Sequence, residues 1–188
     1  GRNRGIKIMT LGELRKKVYE VIEELNPDLT SYTDDSDYEA KFNTCANTVQ
    51  NELAKITDKV VKETIEVEKG QEIVLSEDLE RFRLLKKITG VDYDIEDEYV
   101  TFNEKGTAII YYYQNKKQIK EDSDDNFKID FDNQTLDCMI YGIASDILRN
   151  DVSSNYGAYF TSRYNELKEQ LDPRSSQGMF KFVGGVNV

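Results

Sequence analysis

Apolar residues recur along this chain with two periods, and the switches between them mark out its parts. Leu11, Leu14, Val18, Val21, Ile22 and Leu25 follow steps of three and four, which places them on one face of a helix. Thr10-Leu11-Gly12-Glu13 opens that helix as a capping box, in which Thr and Glu satisfy each other's orphan N–H groups, and Asn26-Pro27 ends it. After an Asp-rich loop, Ser36-Asp37-Tyr38-Glu39 repeats the cap. Tyr38, Phe42, Cys45, Val49, Leu53 and Ile56 then mark the apolar face of a longer second helix.

Near residue 60 the period falls to two. Thr64-Ile65-Glu66-Val67-Glu68 alternates, Lys69-Gly70 turns, and Glu72-Ile73-Val74-Leu75 runs back, a pattern that predicts a hairpin. A short amphipathic piece spans Ser76 to Leu85. The clearest hairpin pattern sets Tyr99-Val100-Thr101-Phe102 against Thr107 to Tyr113 across Asn103-Glu104-Lys105-Gly106, with Gly106 expected to supply a positive φ. Another short strand, Phe127 to Phe131, follows an acidic loop.

Helical spacing returns in Leu136, Met139, Ile140, Ile143, Ala144, Ile147 and Leu148, with Asp132 or Asn133 as cap. Asn150 to Asn155 interrupts it, and Tyr156, Tyr159, Phe160, Tyr164, Leu167 and Leu171 mark a last helix. Neither helix pair alone offers a full bundle core. The expected fold is therefore α+β: a helical bundle built from the N- and C-terminal helix pairs, residues 10–59 and 132–172, with a small antiparallel β-domain, residues 60–131, inserted between them. Residues 1–9, basic and unlike the rest, read as a flexible or vector-derived leader. Asp172-Pro173 stops the last helix, and 173–188 read as an extended tail. From Gly178 to Val188 it holds six apolar residues and one charge. Such a terminus invites pairing, so it is expected to add a strand to its own domain or to a partner.

Composition narrows the function classes. The chain has 188 residues, enough for one respectable core or two small ones, and its twelve Tyr and eight Phe argue for packing over disorder. A formal net charge of −11 opposes tight binding to a phosphate backbone, while an acidic surface suits a protein that sits beside nucleic acid without holding it. No run approaches the roughly 20 apolar residues of a membrane span. Cys45 and Cys138 fall in helix-like stretches and read as reduced, small hydrophobes.

Chemistry is sparse. The chain contains no His, which removes the commonest general base and metal ligand, and two Cys cannot complete a structural zinc site. Neither phosphate-cradling nor dinucleotide glycine motifs occur. Asp92, Asp94, Glu96, Asp97 and Glu98 form one acidic cluster, and Glu121, Asp122, Asp124 and Asp125 another. Aligned as a calcium loop from Asp92, the sixth position is Asp97 where Gly is wanted and the twelfth is Asn103 where Glu is wanted. A carboxylate-only glycosidase is compatible with the residue types, but the chain has no Trp for a sugar platform. The expectation is no enzyme, no cofactor and no metal. Alternation sends Tyr111 and Tyr113 to one face of their strand and Tyr112 to the other, either as packing on both sides or as a contact surface. Arg81, Arg83, Lys86 and Lys87 form a small basic patch, read either as ordinary surface charge or as a site for an acidic neighbour.

Several segments together resemble the head–tail connector (adaptor) proteins of tailed bacteriophages. They are Thr10 to Arg15, the second-helix run Asn43-Thr44-Cys45-Ala46-Asn47-Thr48-Val49-Gln50-Asn51-Glu52-Leu53-Ala54, a β-insertion with a Tyr-rich strand, Ile140 to Leu148, and Tyr159 to Leu167. The likeness spans the chain from Met9 to the tail and rests on packing patterns. It implies a virion neck protein, made in the host cytoplasm, that forms a homo-oligomeric ring, typically of twelve, under the portal protein. Such a ring extends the channel for double-stranded DNA without sequence-specific binding or a membrane, and offers a platform to the next neck or tail protein. It also implies portal docking by the tail, with Met179, Phe180, Phe182, Val183 and Val186 as anchors, and makes Tyr111, Tyr113, Arg81 and Arg83 candidate inter-subunit or neck contacts. The alternative is a ligand- or glycan-binding module carried on a helical scaffold.

Overall fold

The computed structural model describes residues 8–25, 36–57, 59–149 and 156–171. The Asp-rich loop, the 150–155 break and the C-terminal tail with Met179, Phe180, Phe182, Val183 and Val186 lie outside the described residues, as do the side chains of residues 36–40. In chain order the elements are β1 (Met9–Thr10), α1 (Leu11–Leu25), α2 (Ser36–Ile56), β2 (Val60–Val67), β3 (Glu72–Val74), α3 (Leu75–Asp78), β4 (Phe82–Thr89), β5 (Tyr93–Glu96), β6 (Tyr99–Phe102), β7 (Gly106–Gln114), β8 (Lys128–Ile129), α4 (Asn133–Leu148) and α5 (Tyr156–Leu171). The fold is α+β, with a β region inserted between helices from the two ends of the chain. It divides into two compact units, residues 1–57 with 118–188, and residues 58–117.

In the helical unit, α1, α2, α4 and α5 contribute to one apolar core. The capping box forms as its residues dictate: the Thr10 N–H donates to Glu13 Oε2 at 3.0 Å, and the Glu13 N–H donates to Thr10 Oγ1 at 3.2 Å. Leu11, Leu14, Val18 and Ile22 are buried at the three-four spacing read from the sequence. Helix α4 is the centre, buried over most of its circumference, and Asp132 is its cap, accepting from the Thr135 N–H at 2.8 Å. Gly142 lets α4 approach its neighbours: a Cβ there would lie 2.7 Å from the Tyr164 ring and 2.9 Å from Val49 Cγ1.

Two boundaries differ from the sequence reading. The strand expected at 127–131 belongs to the helical unit, where β8 pairs antiparallel with β1, Met9 opposite Ile129. Met9 is thereby part of the fold and not of a leader. The physical reason is the start of α1, whose first N–H groups have no partner within the helix. The Leu11 N–H donates to Phe127 O at 2.8 Å and the Gly12 N–H to Asp125 O at 3.1 Å, while Ile129 and Phe131 bury in the helical core.

The second unit is a pair of three-stranded antiparallel sheets, β2-β7-β4 and β3-β6-β5, whose inward side chains share one core around Val67, Ile88, Val100, Phe102, Ile110 and Tyr112. Neither expected hairpin forms. β2 pairs with β7 and β3 with β6, so the Lys69-Gly70 turn, with Gly70 at φ 80°, carries the chain from one sheet to the other. Likewise β6 and β7, adjacent in sequence, lie in different sheets. Gly106 has no positive φ; it is needed for space, since a Cβ would meet Val91 Cγ1 at 2.8 Å. The amphipathic piece expected over 76–85 splits into the short α3 and the start of β4. β5 forms within the acidic cluster of Asp92 to Glu98.

Candidate functional site

Among the sequence-predicted residues that the structure describes, it brings Tyr111, Tyr113 and Arg83 together and leaves Arg81 apart. On β7 the side chains alternate: Ala108, Ile110 and Tyr112 are buried, while Ile109, Tyr111 and Tyr113 lie on the outer face of the β2-β7-β4 sheet. The register sets Val60 and Leu84 beside Tyr113, and Lys62 and Lys87 beside Tyr111. Lys87 Nζ stands 4.8 Å from the centroid of the Tyr111 ring, and the Arg83 guanidinium stands 5.6 Å from that of Tyr113. Each is a cation–π pair, worth about 0.5–1 kcal/mol where exposed. Val60 is 38 % exposed and Leu84 55 %. The face is thus a platform of two half-buried rings and exposed aliphatic groups, rimmed by cations.

Two irregularities in β4 build it. The pairing with β7 shifts register between Phe82 and Leu84 and again between Leu85 and Lys87, each shift consistent with a β-bulge. Without the second shift, alternation would send Lys87 to the same face as Leu85, which pairs with the buried Tyr112; instead it pairs with Tyr111. Sequence reasoning missed Val60, Lys62 and Leu84, although the alternation in β2, exposed at 60, 62, 64 and 66, carries the signal. Arg81 takes φ 51° in the turn before β4, with Nε 3.3 Å from Glu80 and its guanidinium donating to Gln114 at 3.5 Å. These contacts tie its side chain to the turn and to the end of β7. Tyr112, 1 % exposed, donates to Glu63 at 3.2 Å, and burial together with the nearby Glu63 raises its phenol above the ordinary value.

The helical unit holds two polar clusters, each with a structural account. Asn43, 2 % exposed, donates through Nδ2 to the carbonyls of Lys120, Glu121 and Ser123 at 3.0–3.2 Å, while Arg15 pairs with Asp125 and reaches Asn43 Oδ1 at 3.3 Å. The acidic loop is clamped by this pair, and its cleft is lined by Arg15, Asn43 and residues 121–126. The second cluster is Glu52, Lys168, Tyr164 and Cys138. Burial pushes the Glu52 carboxyl up, but its 2.6 Å bond to Lys168 and that cation's charge outweigh burial and leave it below the ordinary value. Burial pushes the Cys138 thiol up to about 12 and raises Tyr164, whose hydroxyl lies near Glu52 outside hydrogen-bonding geometry. Both the Cys138 thiol and the Tyr164 phenol therefore stay protonated at neutral pH.

Among the described residues no three His, Cys, Asp or Glu side chains are grouped to hold a metal ion, and no helix is long and apolar enough to cross a membrane. Cys45 and Cys138 are free thiols. No protein-family model matches the chain, and neither does any curated protein sequence.

Proposed function

We propose that this chain is a structural, non-catalytic component of a tailed-phage neck, a head–tail connector that forms a ring under the portal and extends the DNA channel. The ring also offers a platform to the next neck or tail protein. One observation carries the reading: helices from both ends of the chain share a core, and the β unit is spliced between α2 and α4. That order of elements is what the resemblance to connector proteins calls for. The charge supports it, because a channel wall of net −11 subunits repels the DNA backbone and lets it slide, where clustered cations would hold it by counterion release. The sequence of the tail supports it too, since a short apolar segment that pairs with a partner strand adds main-chain hydrogen bonds, and repetition round a ring supplies avidity.

Light scattering tests this on the purified protein, alone and mixed with the portal protein of the same genome. A portal complex carrying about a dozen copies, in closed cyclic symmetry, is the expected result. A monomer indifferent to the portal refutes the reading and turns attention to a ligand-binding role for the β unit. Deleting Gly178 to Val188 is expected to abolish docking and leave the helical fold intact; unchanged docking removes the tail from the mechanism.

A further inference from the structure

The β unit has two outer faces, and their net charges are opposite. On the β2-β7-β4 sheet the outer face presents Tyr111 and Tyr113 with Lys62, Lys87 and Arg83, and at its other end Glu66, which accepts from the Thr107 hydroxyl at 2.7 Å. On the β3-β6-β5 sheet the register places Glu72, Asp94, Glu96 and Tyr99 on the face turned away from the buried Ile73, Val100 and Phe102. All four are exposed, Tyr99 by 51 %. The same core separates the two faces, so the acidic face of one molecule does not reach its own platform.

We infer that the basic, tyrosine-bearing face of one copy docks on the acidic face of a second copy, making a head-to-tail contact between β units. Charge complementarity selects this occupant. Glu72 and Glu96 make no ion pair among the described residues, and both lie on the same face as an exposed aromatic ring, as a contact with cations and rings requires. In the other acidic run Asp125 is paired with Arg15 and Asp124 accepts from the Asn126 N–H at 2.9 Å. A polyphosphate would meet the same cations and rings, and the test below separates it from a second copy. A contact between two different faces leaves one of each kind unfilled on every dimer, so it propagates and closes into a ring when the rotation allows. Ring closure rests on the connector reading; the contact itself does not.

The test is a charge swap in the full chain, read by sedimentation at low ionic strength. Lys62→Glu/Lys87→Glu and Glu72→Lys/Glu96→Lys should each fall to the monomer mass of 21.7 kDa, the dissociation constant rising roughly thirtyfold or more. An equimolar mixture of the two variants should regain the wild-type mass, because each basic face again meets an acidic one. Circular dichroism of each variant checks that it is folded. A wild type that stays monomeric up to millimolar concentration, variants that assemble as wild type does, or a mixture that stays monomeric would each overturn the contact. So would binding of a single-stranded oligonucleotide that is lost in Lys62→Glu/Lys87→Glu while self-association is unchanged. Portal binding is measured separately: a chain that self-associates through these faces yet ignores the portal keeps the contact and refutes the neck reading.

Discussion

Replacing Gly142 by Ala sets two effects against each other, and the packing decides the sign. In an exposed helix interior the change stabilises by about 1 kcal/mol, because Ala loses less backbone entropy. Here the added methyl would sit 2.7 and 2.9 Å from two atoms of the Tyr164 ring and 2.9 Å from Val49 Cγ1. Neither neighbour has a flexible end to swing away: one contact is a ring edge, the other a β-branched methyl, and both belong to the core. Overpacking of this kind costs about 1–3 kcal/mol, more when two neighbours must move. The net expectation is a loss of about 1–2 kcal/mol, or roughly 2–8 °C in Tm for a chain this long. Thermal unfolding followed by far-UV circular dichroism reads it. Combining Gly142→Ala with Val49→Ala should give a loss smaller than the sum of the singles by at least about 0.5 kcal/mol, since the smaller side chain makes room. A raised Tm for Gly142→Ala, or strict additivity of the pair, would refute the close approach of α4 to its neighbours.

Three further outcomes follow from the helical unit. Asn43→Asp replaces the donor to three carbonyls with a buried acceptor, and should cost about 2–4 kcal/mol despite the nearby Arg15, read as a lower urea midpoint and faster proteolysis at 120–126. An unchanged midpoint would mean the loop is not held by this clamp. Near pH 8 a thiol reagent should modify the half-buried Cys45 first and reach Cys138 only on unfolding; equal rates would contradict the burial of Cys138. The raised thiol of Cys138 also fixes a pH dependence. Its folded value of about 12 lies above the ordinary 9.0, so its contribution is intact below pH 9 and is lost as pH climbs from 9 towards 12. Tyr164, also raised, acts in the same direction. Cys138→Ala should flatten that alkaline loss in a series of urea midpoints, and an unaltered slope would count against it.

The platform was half visible in the sequence. Alternation alone put Tyr111 and Tyr113 on one face and Tyr112 on the other, because side-chain direction in a strand follows from backbone geometry whatever the partner. Which cations would join them was not visible. Arg81, Arg83, Lys86 and Lys87 read as one patch, yet a turn takes Arg81 away and the register shifts bring in Arg83 and Lys87. Lys62, distant in sequence, arrives only through the pairing of β2 with β7.

What the sequence determined by itself was local: the four long helices, the Thr10–Glu13 capping box, the Asp132 cap and the existence of β2, β3, β6 and β7. Each depends on contacts between residues three or four apart, or on the two-residue period of a strand. Only the tertiary structure decided which strands pair. Between neighbouring strands the nearest-hairpin rule is a default, and it failed twice because each turn carries the chain across a shared core into the other sheet. The same holds for Lys128–Ile129, whose place with β1 comes from the orphan N–H groups at the start of α1, more than a hundred residues earlier in the chain. β5 was hidden for the opposite reason: on an edge strand whose outer face meets water, Asp and Glu are permitted, so no apolar alternation announces it.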